Sequence, residues 1–284
     1  MLSIIISSYQ EYYFSSLYKN IEETIGNIPY EIIKINNPGL MGLCQAYNQG
    51  AKKAHYNYLL FIHEDILFVT INWGEILVNL LKNKEIGVIG IAGSSYVSNS
   101  PSFWWSLKET RFSNLIQSFR ENKKIITYKL EPKYGNSKNV YSLDGVLLAC
   151  RKEVYLDFPF NEKLKGYHGY DLDFSVRVAS QYKNIVTSEI LIHHFSGGNS
   201  SQSWFRDLIK ARDNFTIPQD QINNKNYELR NYYTFVHHLY DFKFPFFWSI
   251  KKQLKYLSFN KLGFKGFLLA SLKIIRYIIK YISN

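Results

Sequence analysis

The chain is short of several things, and each shortage excludes something. It has two cysteines, Cys44 and Cys150, in 284 residues. That is too few for a disulfide framework, and they lack metal-site spacing. The N-terminus has no basic region, and its apolar run is only Ile4-Ile5-Ile6. Neither a signal peptide nor a membrane span is expected there, so the main body is expected in a reducing, cytoplasmic compartment. There is no internal repeat and no low-complexity stretch. The last part of the chain lacks acid. From Lys243 to Asn284 there are nine Lys or Arg and no Asp or Glu. The other 242 residues carry 25 basic and 23 acidic residues, so the net charge of +11 belongs mostly to the tail. A nucleic-acid partner is poorly supported for the main body, and a membrane surface suits the tail better.

What is present is apolar and patterned. With 46% hydrophobic residues the chain can bury a large core. Leu2 to Ser7 reads as a buried strand. Phe14, Leu17, Tyr18, Ile21 and Ile25 then recur at helical spacing, and Gly26 stops that helix. Tyr30 to Ile35 reads as a second strand. Leu43, Ala46, Tyr47, Gly50, Ala51 and Ala54 mark one face of a second helix. The run Tyr58 to Ile62 then reads as a third strand, buried on both faces. Strand, helix, strand, helix, strand implies βαβ units and a mostly parallel sheet flanked by helices. Further on, the pattern predicts a helix from Trp73 to Lys84 and a strand from Ile86 to Ala92. It also predicts one helix near Phe112 to Phe119, a strand from Tyr141 to Cys150 interrupted at Asp144-Gly145, and a helix from about Asp171 to Tyr182. A last strand is expected from Ile185 to His194.

The third strand runs straight into His63-Glu64-Asp65. Charge beside a core is costly unless it is paired or binds a metal. The C-terminal edge of such a sheet is also where open α/β folds bind ligands. Asp65 is therefore read as holding a divalent cation, Mg or Mn, against a diphosphate; a salt bridge to a nearby Lys is the plain alternative. Asp171 and Asp173 follow Gly169 at a helix start, where the macrodipole favours carboxylates and capping is the plain reading. Two residues apart on a helix, they point to different sides, and Asp173 can pair with Arg177. His193 and His194 end a strand, so only one faces the site; the His-x-x-Gly spacing favours His194 as a second metal ligand. Gly197-Gly198 reads as a mobile lid. Ser8 and Tyr9, with Asn36 and Asn37, end the first two strands and are candidates for the nucleotide. Trp104 and Trp105 are candidate acceptor contacts, with core packing as the alternative.

Taken in order, Ser3-Ile4-Ile5-Ile6-Ser7-Ser8-Tyr9, Ala46-Tyr47-Asn48-Gln49-Gly50, His63-Glu64-Asp65, Asp144-Gly145, Gly169 to Arg177 and His194 resemble family 2 glycosyltransferases of the GT-A fold. The match is to the variant with His-x-Asp in place of Asp-x-Asp, over roughly residues 1–205. The resemblance implies sugar transfer from a nucleotide-diphosphate donor. It implies Asp65 as the metal contact and Asp171 as the general base. It implies a nucleotide-site role for Asn48 and Glu64, and a loop beneath the donor sugar at Asp144 and Gly145. His63 stands where the family often has Asp, as a metal ligand or a contact to ribose or sugar. Tyr170 stands where the family usually has Glu, beside the acceptor. A sugar-nucleotidyltransferase is disfavoured, because no glycine-rich phosphate loop stands near residues 8–20.

The division expected is a GT-A domain over 1–215 and a helical, aromatic, basic extension over 216–284. From Phe264 to Ile282 the residues are mostly apolar, but four charges argue against a spanning helix. A cationic helix lying on an anionic membrane face fits better. The acceptor is accordingly expected to be a growing surface glycan, lipid-linked, at the inner face of the plasma membrane. The alternative is a non-catalytic nucleotide- or glycan-binding module that kept the fold.

Overall fold

The computed structural model describes residues 1–119, 124–195 and 201–282. The chain begins β1 (Leu2–Ser8), α1 (Glu11–Thr24), β2 (Tyr30–Asn36), α2 (Leu43–Lys53) and β3 (Tyr58–Ile62). β1 pairs in parallel with both β2 and β3. Its side chains alternate between two cores. Ile4 and Ile6 pack with Leu17 and Ile21 of α1, and Ile5 packs with Cys44, Tyr47 and Ala51 of α2. Gly50 lets α2 lie close to the sheet, since a Cβ there would meet Ile5 at 2.3 Å.

The chain continues through β4 (Ile66–Phe68), α3 (Trp73–Leu81), β5 (Ile86–Gly90), β6 (Ala92–Ser94), β7 (Arg111–Ser113), β8 (Leu115–Ser118) and β9 (Ile125–Tyr128). Then come β10 (Ser137–Val140), β11 (Ser142–Leu143), β12 (Leu147–Arg151), α4 (Lys152–Asp157), α5 (Tyr170–Val178), β13 (Lys183–Thr187) and β14 (Ile192–His194). Four helices close it: α6 (Gln202–Arg212), α7 (Lys225–Asp241), α8 (Phe246–Tyr256) and α9 (Phe259–Ile282). The main sheet has the order β10-β13-β5-β12-β3-β1-β2. Five of its seven strands run one way; β12, between β3 and β5, and β10, at the edge, run the other. A second sheet, β4-β14-β8-β9, carries the residues just after β3 up against residues 192–194.

Three elements differ from the sequence reading. The strand expected over 86–92 breaks at Ile91 into β5 and β6, which serve different sheets. The helix expected near Phe112 to Phe119 is two short strands, β7 and β8. Phe112, Leu115 and Ile116 have helical spacing, but at Asn114 the chain passes from one sheet to another. That side chain donates to the carbonyls of Ser188 and Ile190, and its N–H donates to Ile91. Long-range hydrogen bonding of this kind overrides the local helical spacing. The strand expected over 185–194 is broken into β13 and β14, which serve different sheets. The glycine lid at Gly197-Gly198 lies outside the described residues.

The C-terminal helices close a third core. Leu172 and Val176 of α5 and Phe205 and Leu208 of α6 pack with Tyr232, Phe235 and Leu239 of α7, and with Ala270, Ile274 and Tyr277 of α9. Glu228 is buried at this junction. It accepts hydrogen bonds from the hydroxyls of Tyr96 and Ser98 and from the Asn99 N–H. Among the described residues, no helix is long and apolar enough to cross a membrane.

Candidate active site

β3 ends against β12, and the His63 N–H donates to the Val146 carbonyl. Three residues later the chain enters β4, which pairs with β14 so that Ile66 faces His194. This register brings three ligand-type side chains together. His194 Nε2 lies 3.5 Å from Asp65 Oδ1, and His63 Nδ1 lies 4.0 Å from the same oxygen. One donor atom from each of His63, Asp65 and His194 fits within 4.8 Å of the others.

The hydrogen bonds around these rings fix which nitrogen is available. Gln117 donates from its amide nitrogen to the carbonyl of Ser118, so its oxygen is the atom facing His194. His194 Nδ1 must then carry the proton and donate to that oxygen at 2.9 Å. The lone pair is left on Nε2, which is buried and has no hydrogen-bond partner. An orphaned buried acceptor beside a carboxylate is what a cation site with an imidazole ligand requires. The Tyr170 hydroxyl donates to the Gly145 carbonyl at 3.1 Å, so His63 Nε2 donates to Tyr170 at 2.8 Å. That leaves the His63 lone pair on Nδ1, toward Asp65. Burial lowers the His63 pKa, which favours the neutral ring. The two departures from the family pattern, His63 and Tyr170, are therefore partners of each other. His193 faces away: its ring meets Ser118 Oγ at 2.7 Å.

The trio lies beside a cavity of about 570 Å³. Ser7, Tyr9, Tyr13, Asn37, Tyr47, Tyr167 and His168 line it with His63, Glu64 and Asp65. No Lys or Arg is among the described lining residues, while Glu64 and Asp65 are acids. A diphosphate placed here would meet acids and no Lys or Arg among the described lining residues, a setting that a bound metal ion would suit.

On the far side of Tyr170 stands the carboxylate pair. α5 begins at Tyr170, after Gly169 in a left-handed conformation with φ of 75°. Asp171 Oδ2 accepts the Gly145 N–H at 3.0 Å. Asp144 Oδ1 accepts the Val146 N–H at 2.9 Å, and its Oδ2 accepts Trp104 Nε1–H at 2.7 Å. Gly145 has to be glycine, because a Cβ would meet the Tyr170 hydroxyl at 2.0 Å. Burial, then the neighbouring Asp144 carboxylate, push Asp171 up to about 7. A carboxylate held near neutrality is suited to taking a proton from a hydroxyl. Asp173 is fully buried and pairs with Arg177 Nε at 2.8 Å.

Other residues singled out in the sequence are occupied structurally. Glu64 accepts from the N–H groups of Tyr9 and Gln10, anchoring the start of α1. Asn37 spends its amide on Ser7 Oγ and the Met41 backbone, closing the turn that walls the cavity. Asn48 lies away from the cavity, holding Phe160 and Glu162 through its amide nitrogen and accepting from Tyr155. Asn36 is exposed at the end of β2, and the β1 residue that lines the cavity is Ser7 rather than Ser8. Trp105 is part of an aromatic cluster, stacked on Phe103 at 5.0 Å and near Trp204 at 6.0 Å. Sequence reasoning did not single out Tyr13, Gln117, Tyr167, His168 or Trp204.

Together the mixed sheet, the sheet-edge carboxylate and the nucleotide-sized cavity define a GT-A type α/β fold. Residues 3–208 match the model of the glycosyltransferase like family, and the chain belongs to that family. Among solved structures it resembles GalNAc-T7 with UDP, GalNAc and Mn2+, at 12% identity and a TM-score of 0.54 over 82% of this chain. The chain spans only 50% of that protein's length. It also resembles S. aureus TarS 1-349 in complex with UDP, at 11% identity and a TM-score of 0.53, covering 97% of this chain and 88% of that one. At such identities the likeness is one of fold. No curated protein matches the chain.

Proposed function

We propose that the chain transfers a sugar from a nucleotide-diphosphate donor, with inversion at the anomeric carbon, to a growing glycan that is lipid-linked. The observation that carries this reading is the buried, unpartnered His194 Nε2 facing Asp65 beside a cavity with no Lys or Arg among its described lining residues. Asp65, His194 and His63 would hold a divalent cation, Mn or Mg. When bound, the cation offsets the charge that a departing diphosphate gains.

The chain's own residues do the rest. Tyr9, exposed at the mouth of the cavity, offers a ring face to the base. Asp171 accepts the proton of the acceptor hydroxyl as that oxygen bonds to the anomeric carbon. The bond from that carbon to the diphosphate breaks on the opposite face, and nucleoside diphosphate leaves. A single base with in-line attack gives inversion. Trp104 fixes Asp144 beside the base, and Trp105 offers an apolar face to an acceptor sugar. Residues 1–215 form the catalytic part in this reading. Residues 216–284 are the extension that brings it to an anionic membrane at the cytoplasmic face.

The test is a thermal-shift screen of nucleoside diphosphates and nucleotide sugars with and without Mn. The donor should raise the melting point only when metal is present, by mass action, and slow hydrolysis should release nucleoside diphosphate. If no nucleotide moves the melting point under either condition, the reading is wrong.

A further inference from the structure

α9 has two apolar faces, and only one is used. Leu262, Gly266, Ala270, Ile274 and Tyr277 are buried against the body. On the opposite side Phe264, Leu268, Leu272, Ile275, Ile279 and Ile282 form a second stripe, spaced by three or four residues, and every one is exposed. Phe264 is 75% and Ile279 62% exposed, so these are not the rims of buried side chains. The stripe runs for roughly 27 Å at the helical rise. That is a large contiguous apolar surface for water to cover.

Charge decides what covers it. Lys265 and Arg276 lie along one border of the stripe and are exposed. Lys273 and Lys280 lie further round, set over the rings of Tyr233 and Tyr240 of α7. From Lys243 to Asn284 there is no acid to balance them. Two copies meeting through this face would bring like charges together, which opposes self-association. A spanning role is excluded by the charges on the helix itself. We infer that the outer face of α9 is a docking surface for an anionic phospholipid membrane, with the apolar stripe sunk among the acyl chains and the cations at the headgroups.

The inner face of α9 packs on α7 in the same core as α5 and α6. Docking through the outer face would therefore hold the Asp171 helix at a set distance from the bilayer. This deepens the acceptor assignment given above and rests on it only for that consequence.

The experiment is co-sedimentation of the full chain with phosphatidylcholine vesicles, with and without phosphatidylglycerol. Binding is expected only with the anionic lipid and is expected to fall with salt. Changing Leu268, Ile275 and Ile279 together to Ser should weaken it by at least about tenfold. Lys265→Gln and Arg276→Gln should each weaken it by about fivefold. All these side chains are exposed, so melting and nucleotide-induced stabilisation should match wild type. That control separates failure of the membrane surface from failure of the enzymatic reading. Equal binding to both vesicle types would overturn the proposal. So would a triple variant that binds like wild type, or a wild-type dimer that the triple variant converts to monomer.

Discussion

Asp171→Asn separates catalysis from stability, because the same burial that suits the carboxylate to accept a proton makes it costly to ionise. In the folded chain its pKa is pushed from the ordinary 3.8 to about 7 by burial and by Asp144. The folded state therefore binds this proton more tightly than the unfolded state does. Stability is fully present below about pH 4 and is lost as pH rises through about 7. Part of the push is mutual with Asp144, so the full loss is about 2 to 4 kcal/mol. Asparagine keeps the acceptor for the Gly145 N–H and removes the charge. The variant should melt at nearly the wild-type temperature near pH 4 and about 3 to 7 °C higher above about pH 8, in metal-free buffer. Transfer activity should meanwhile fall by about 10² to 10⁴. Wild-type activity should rise with pH up to about neutrality, where the base is ionised. Calorimetric melting across pH and a product assay read the two effects independently. Asn variants as active as wild type, or no pH-dependent gap in melting, would refute the reasoning.

Other outcomes follow from neighbouring contacts. Tyr170→Phe removes the oxygen that accepts from His63 Nε2 and donates to Gly145. Mn affinity, measured by calorimetry, should drop by about tenfold, while the fold survives; unchanged affinity would mean that Tyr170 does not orient the ring. Glu228→Ala leaves the Tyr96 and Ser98 hydroxyls and the Asn99 N–H without their buried acceptor. It should cost about 2 to 4 kcal/mol in urea unfolding; a loss within error would place that junction outside the cooperative unit. Gly145→Ala puts a Cβ 2.0 Å from the Tyr170 hydroxyl, so it should impair metal binding together with activity.

The sheet was legible where burial is two-sided. β1, β3 and α2 carry apolar runs or a helical face that allow one reading, and the structure follows them. The segment from 111 to 118 was not legible. Its apolar spacing suits a helix, and the change of sheet at Asn114 is held by carbonyls more than 70 residues away. The candidate site was partly legible. A charged triplet closing a buried strand marks Asp65, and glycine before an acid-rich helix marks Asp171. The Asp173–Arg177 pair follows from spacing of four along one helix. The His-x-x-Gly spacing favours His194 over His193, but its contact with Gln117, on a strand far away in sequence, has no local signal. Asn37 and Asn48 look like free amides in the sequence but spend their hydrogen bonds on backbone and neighbouring side chains. The pairing of His63 with Tyr170 joins residues 107 apart in the chain, so no local pattern shows it.

The central claim is that Asp65 and His194 hold a cation against a diphosphate. Calorimetric titration of UDP and GDP into wild type, Asp65→Ala and His194→Ala, each with and without Mn, tests it most directly. At least one nucleotide should bind wild type about tenfold or more tightly with Mn, and both variants should lose that gain while keeping their melting temperatures within a few degrees. A nucleotide that binds wild type equally well without metal, or an Asp65→Ala variant that keeps the full Mn-dependent gain, would contradict it.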